Sequence, residues 1–148
     1  LRGLFLCPTF WRTACSFYME TPKSRDEIVR NIRPELQLMP CASEIETFQN
    51  NVLRPILKFQ NELLLTICKA YVHKYQKSFN GLNAKAQEQL VKRAMKQDPE
   101  IRSTTINVVA GIFTSEEYET YLENRAEHNK RIVGMATERV ISQLTLLY

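Results

Sequence analysis

Polar residues interrupt an apolar repeat near the end of the chain. Nine consecutive, mostly polar residues, ENRAEHNKR at positions 123–131, lie between apolar flanks. Following the helical repeat backwards from Val140 through Val133 leads to Asn129 and then to Arg125, among apolar neighbours. An amide buried without a partner costs about 1 to 3 kcal/mol, and a buried charge costs more. These residues therefore predict either polar partners elsewhere in the chain or a bound ligand.

A second group of polar residues surrounds Pro55 on an earlier amphipathic segment. It includes Arg54 and Glu62, and the carboxylate of Glu62 can bind the guanidinium of Arg125 through two parallel hydrogen bonds. If the two segments pack together, these side chains line a polar pocket near Pro55. The predicted ligand-binding residues are Arg54, Glu62, Arg125 and Asn129.

Three interpretations of the polar stretch stay open. The simplest is a solvated helix face, which the i, i+4 pair of Glu127 and Arg131 supports weakly. The second is a buried polar network that fixes the register between helices. The third is a ligand or catalytic pocket.

The sequence predicts no catalytic residue, no metal site and no cofactor. His73 and His128 form neither an HExxH motif nor the Glu-x-x-His arrangement of di-iron bundles. The four cysteines are widely spaced, without a CxxC pair. Cys68 lies among apolar residues, which is typical of a small buried hydrophobe. This use of cysteine predicts a reducing, cytoplasmic setting.

The charge of the chain gives little reason to expect nucleic acid or a membrane as partner. The formal net charge is only +4, and the basic residues of the segment 85–102 lack interleaved aromatic side chains. No segment beyond the N-terminus reaches the roughly 18 apolar residues that cross a bilayer. Nucleic-acid binding and a membrane anchor are therefore not predicted.

The elements that carry these residues are predicted to be helices. Only four glycines occur in 148 residues, which favours few turns and long elements. The pattern SEIE at positions 43–46 is a capping box, and apolar residues then recur at steps of three and four as far as Tyr75. Such a helix would be roughly 50 Å long at about 1.5 Å per residue. A kink is predicted at Pro55.

Shorter helices complete the prediction. SRDE at 24–27 begins a helix that Pro34 ends, and a further helix covers Ala84 to Lys96. Asp98 and Pro99 predict the start of a helix, although the β-branched run that follows also fits a strand. TSEE at 114–117 begins a second long helix that reaches Leu147. The predicted fold is an all-α bundle of four or five helices, forming a single domain over residues 19–148.

The first residues differ in character from the rest. Residues 1–18 contain no acidic residue, hold the only tryptophan and precede Met19. A signal peptide fits poorly, because Pro8 and Arg12 interrupt its apolar core and cleavage site, and a lipoprotein cysteine at Cys15 is weakened by Arg12, where an aliphatic residue is expected. We expect residues 1–18 to be a non-native or disordered extension. Without it the formal net charge falls from +4 to +2.

Two stretches carry a resemblance to known proteins. FQNNVLRPILKFQNELLL and FTSEEYETYLENRAEHNKRI resemble stretches in a group of small bacterial all-helical proteins of uncharacterised function. The resemblance covers roughly residues 43–147. Some of that group carry a glyoxalase label, which implies paired βαβββ modules and His/Glu metal ligands on strands. Here both histidines fall on predicted helices, so no catalytic residue is carried over.

The sequence suggests two classes of function. The first is a cytoplasmic interaction or scaffold protein that self-associates into a homo-oligomer, because the two long helices would extend past a monomeric core. The alternative is a small-ligand-binding protein or enzyme with a polar pocket between the two long helices near Pro55.

Overall fold

Every regular element that the structure describes is a helix. The computed structural model describes residues 24–37, 43–75 and 78–147, and no strand occurs within them. The all-α prediction is confirmed, whereas the predicted extension over residues 1–18 lies outside the described residues. The helices are α1 (Arg25–Asn31), α2 (Glu44–Phe48), α3 (Arg54–Phe59), α4 (Asn61–Tyr75), α5 (Ala84–Gln97), α6 (Pro99–Ala110), α7 (Ser115–Glu123) and α8 (Arg125–Ile141).

Polar side chains cap the starts of five of these helices. The residues Ser24, Ser43, Asn83, Asp98 and Thr114 each accept a hydrogen bond from a backbone N–H of the first turn. At α7 both hydrogen bonds of a capping box are present, because the side chain of Glu117 also accepts a hydrogen bond from the N–H of Thr114, at 2.8 Å. The predicted helix starts are thus confirmed, and the eight α-helices in the described residues exceed the four or five expected.

The first long helix is irregular next to Pro55. A π-helical turn, Gln49–Leu53, joins α2 to α3, and the N–H of Arg54 donates to the carbonyl of Gln49, five residues back. Pro55 has no N–H to donate to the carbonyl of Asn51, so an α-helix cannot continue through it unchanged. The widened turn lies immediately before the predicted kink.

A second interruption of this helix was not predicted. Gln60 separates α3 from α4 with φ −85° and ψ 10°, and its side-chain amide donates to the carbonyl of Val108 at 3.2 Å. The helix therefore breaks where a side chain reaches across to α6. The predicted helix of roughly 50 Å is divided into shorter pieces.

The second long helix is also divided. Asn124 adopts φ −133° and ψ 43°, outside the helical region, and separates α7 from α8. Beyond Ile141 the chain continues into a 3-10 turn, Leu144–Leu147. The single helix predicted from Thr114 to Leu147 is therefore corrected to α7, α8 and this turn.

The segment that could have been a strand is a helix. Asp98 caps α6, and Pro99 occupies its first position, where a missing N–H removes no helical bond. The side chains of Ile101, Thr105 and Val109, spaced four apart, are buried along one face. The helical spacing of the buried residues outweighs the β-branched composition.

Helix α8 lies at the centre of the core and packs on α4, α5 and α6. Its fully buried stripe runs through His128, Ile132, Ala136 and Val140, each four residues after the last. The sequence predicted this stripe one residue out of register at its start, through Asn129.

No helix within the described residues combines the length and the apolar character needed to cross a membrane.

Arginines attach α1 to the rest of the fold. Arg25 donates to the carbonyls of Gly111 and Phe113, both at 2.8 Å, just after the end of α6. Arg33 donates to the carbonyl of Ile112 and forms a bidentate ion pair with Glu117. Guanidinium groups thereby bind the carbonyls of the three residues that follow α6.

Candidate functional site

A groove runs between α8 and the segment formed by the π turn and α3. Its volume is about 750 Å³. Apolar lining comes from Leu36, Leu57, Gly134 and Met135, and uncharged polar lining from Gln49 and Ser142. The charged lining residues are Arg54, Lys58, Arg131, Glu138 and Arg139. We call this feature the α3–α8 groove.

Local sequence explains why space remains between these elements. The π turn places Gln49 at the groove wall, and π turns of this kind occur often at functional sites. Gly134 lies opposite on α8, and a Cβ atom added there would meet no atom within 4 Å. Leu57 is buried beneath. The floor of the groove is therefore apolar and open.

The charges around the groove are unbalanced. The lining holds four cationic side chains and one carboxylate, that of Glu138, and Arg131 is paired with Glu127 beside the groove. Arg54 and Lys58 are exposed and form no ion pair within the described residues. An excess of positive charge beside low-dielectric walls attracts anions. The groove therefore suits a negatively charged group.

Two of the arginines are held in place by neighbouring side chains. Arg131 donates through Nη1 to the side-chain oxygen of Gln49 and through Nε to Glu127, at 3.2 Å. Arg139 approaches the side-chain oxygen of Asn61 at 3.5 Å. These contacts position both arginines on the α8 side of the groove.

The four predicted ligand-binding residues do not share one cavity. Arg54 lines the groove, but Glu62, Arg125 and Asn129 do not. Glu62 and Arg125 are exposed and form no ion pair with each other. Asn129 is half-buried and accepts a hydrogen bond from the hydroxyl of Tyr121 at 2.7 Å. Of the four predicted residues only Arg54 lines the groove, so the predicted pocket between the two long helices stays a prediction.

His128 is, with Thr137, one of two buried polar residues of α8, and it was not among the predicted site residues. It is 3% exposed, its ring centroid is 4.5 Å from that of Phe48, and its Nδ1 has no hydrogen-bond partner among the described residues. Burial lowers the pKa of His128, the charge of Arg131 lowers it further, and Glu127 opposes both. The four-residue step from Ile132 back to His128 was the signal available in the sequence.

The groove offers little for acid–base or nucleophilic chemistry. Its lining includes no histidine, cysteine or aspartate. Among the described residues no three His, Cys, Asp or Glu side chains lie together as a metal site would require. Burial raises the pKa of the Cys68 thiol to about 11, which makes it a poor nucleophile at neutral pH.

Comparison of the chain with protein-family models, curated proteins and solved structures finds no match. The resemblance to small bacterial helical proteins therefore stays a prediction.

Proposed function

We propose that this chain is a binding protein for a small organic anion with an apolar part, and that the α3–α8 groove is its site. One observation carries the proposal: four cationic side chains line an apolar floor, and only Arg131 among them is ion-paired, with Glu127, within the described residues. Arg54 and Lys58 supply positive charge without a carboxylate partner in the described part of the chain. A ligand carboxylate or phosphate can bind these groups while its apolar part covers Leu57 and Met135.

Alkyl probes of equal length test this proposal. Octanoate should raise the melting temperature at constant ionic strength, because a ligand that binds only the folded state stabilises it. Octanol and octyltrimethylammonium, which carry the same chain with no charge or a positive charge, should have a much smaller effect.

Charge variants locate the site. The double variant Arg54→Gln, Lys58→Gln should weaken octanoate binding about tenfold or more, since it removes two charge-assisted contacts. A matched control, Lys85→Gln with Arg93→Gln on the exposed side of α5, removes the same charge outside the groove. Equal losses in the two double variants, or equal binding of all three probes, would contradict the proposal.

Self-association is a second candidate function, supported by exposed apolar side chains. Tyr118 and Leu122 are one turn apart on α7 and are 44% and 49% exposed. Phe59 and Leu63, on either side of the break at Gln60, are each 44% exposed. We propose that a second copy of the chain covers the exposed apolar face of α7. We also propose a reducing, cytoplasmic setting, which the unpaired Cys68 supports.

Light scattering after size-exclusion chromatography tests this second candidate. A dimer that Leu122→Glu converts to a monomer supports it, and Leu146→Glu, at an exposed apolar residue outside α7, is the control. A wild-type monomer at micromolar concentration contradicts it.

A further inference from the structure

A second cavity lies where α5, α6 and α8 meet. Its volume is about 420 Å³, and its lining includes Lys96, Arg102 and Lys130, one cation from each helix. Only Asp98 separates α5 from α6, so this tight connection places Lys96 and Arg102 at the same end of the fold. Helix α8 packs on both helices and contributes Lys130.

The lining of this cavity contains three cations and no carboxylate. Lys96 and Arg102 form no ion pair within the described residues. Lys130 reaches Glu127 only at 3.8 Å, with its side chain 79% exposed. Like charges from three helices repel one another unless an anion lies between them.

Helix dipoles do not account for this arrangement. Lys96 lies in the last turn of α5, where a cation is favoured. Arg102 lies at the fourth position of α6, near the positive end of that helix, where a cation is disfavoured. The dipole of α6 therefore does not stabilise the charge of Arg102.

We propose that this cavity binds a phosphate-type dianion, the chemistry of a phosphate monoester or a phosphoanhydride. The planar guanidinium of Arg102 matches two phosphate oxygens, and the two lysines supply point charges around the third. Gly134 forms part of the wall, and its missing side chain lets the anion approach α8 closely. The site is separate from the charged residues of the α3–α8 groove and does not depend on that groove binding a ligand.

Inorganic pyrophosphate is the probe that tests this site. In a titration at constant ionic strength, followed by ¹H–¹⁵N NMR, the amide signals of Lys96, Arg102 and Lys130 should shift saturably. Arg102→Gln should weaken binding roughly tenfold, as the loss of a charge-assisted contact requires. Arg102→Lys keeps the positive charge but not the planar guanidinium, and it should weaken binding less than Arg102→Gln does.

Two controls make the result specific. Lys85→Gln removes one charge from α5 outside the cavity and should leave the affinity unchanged. Arg54→Gln with Lys58→Gln should also leave it unchanged, which separates this site from the α3–α8 groove. All of these cations are exposed, and thermal melts verify that each variant is folded.

Sedimentation with vesicles distinguishes the two sources of the phosphate group. Binding to phosphatidic acid vesicles but not to phosphatidylcholine vesicles, with loss in Arg102→Gln, supports a lipid headgroup as the ligand. Pyrophosphate binding without vesicle binding supports a soluble phosphate compound. No saturable shift up to millimolar pyrophosphate, or equal losses in Arg102→Gln and Lys85→Gln, overturns the proposal.

Discussion

Arg33 and Glu117 form a bidentate ion pair with N–O distances of 2.6 and 2.7 Å, and their side chains are only 8% and 18% exposed. Glu117 also accepts the N–H of Thr114. One carboxylate thus starts α7 and attaches the chain beyond α1 to it. The pair contrasts with Arg30 and Glu116, which meet at 3.3 Å with both side chains largely exposed.

Glu117→Gln is expected to lower the free energy of unfolding by about 1 to 3 kcal/mol at pH 7, because a buried charge-assisted contact is lost. Glu116→Gln removes the neighbouring exposed contact and should change it by less than about 0.5 kcal/mol. Urea denaturation measures both. Similar losses of unfolding free energy in the two variants would show that the buried Arg33–Glu117 pair stabilises the fold no more than the exposed pair does.

The contribution of Glu117 should depend on pH in a defined direction. Burial raises the pKa of Glu117, but hydrogen bonds from Arg33 and from the Thr114 backbone outweigh it, and the net pKa lies below the ordinary 4.5. The unfolded chain therefore takes up its proton first as the pH falls. The stability difference between wild type and Glu117→Gln should be complete above about pH 5 and shrink below pH 4.5. A difference that grows on acidification contradicts this.

Gly134→Ala is expected to stabilise the protein by about 0.5 to 1 kcal/mol, because glycine costs that much inside a helix and the new Cβ meets no atom within 4 Å. Gly111 is the matched control. There an added Cβ would lie 3.1 Å from the carbonyl of Asn107, which already accepts the Gly111 N–H at 2.8 Å. Gly111→Ala should give no gain. Thermal melts of the two variants make the comparison, and a gain at Gly111 alone contradicts it.

His128 should make the fold sensitive to mild acid. Its pKa is lowered by burial first and then by Arg131, so the unfolded chain binds a proton below pH 6.5 before the folded chain does. Stability should fall between pH 7 and pH 5 in wild type and fall less in His128→Gln. An NMR titration of the His128 ring measures the shift directly. A pKa above 6.5 would contradict it.

Local signals in the sequence were sufficient for the helix starts. Capping by Ser24, Asn83 and Asp98 depends on residues two or three positions apart, so no knowledge of the fold was needed. The breaks at Gln60 and Asn124 were missed. The Gln60 side chain bonds to a carbonyl 48 residues away, and such a contact leaves no periodic signal.

The register of α8 was ambiguous for a physical reason. Ile132 and Val133 are both apolar and adjacent, so steps of four backwards lead to His128 from one and Asn129 from the other. The structure buries both apolar residues, but it packs His128 against Phe48 and leaves Asn129 half-buried with Tyr121. Arg54, one of the four predicted residues, lines the groove. Arg131 and Arg139 were not predicted, because their part in the groove depends on tertiary packing.

The π turn before Pro55 changes the direction in which the side chains of α2 point relative to those of α3. It holds one residue more than an α turn would, and each residue rotates a helix by about 100°. Deleting a single codon within Gln49–Leu53 would remove the extra residue and turn Phe48 away from His128 and Phe113. The shortened chain would be less stable, because the extra residue lets the apolar side chains of α2 and of α3 face the same core.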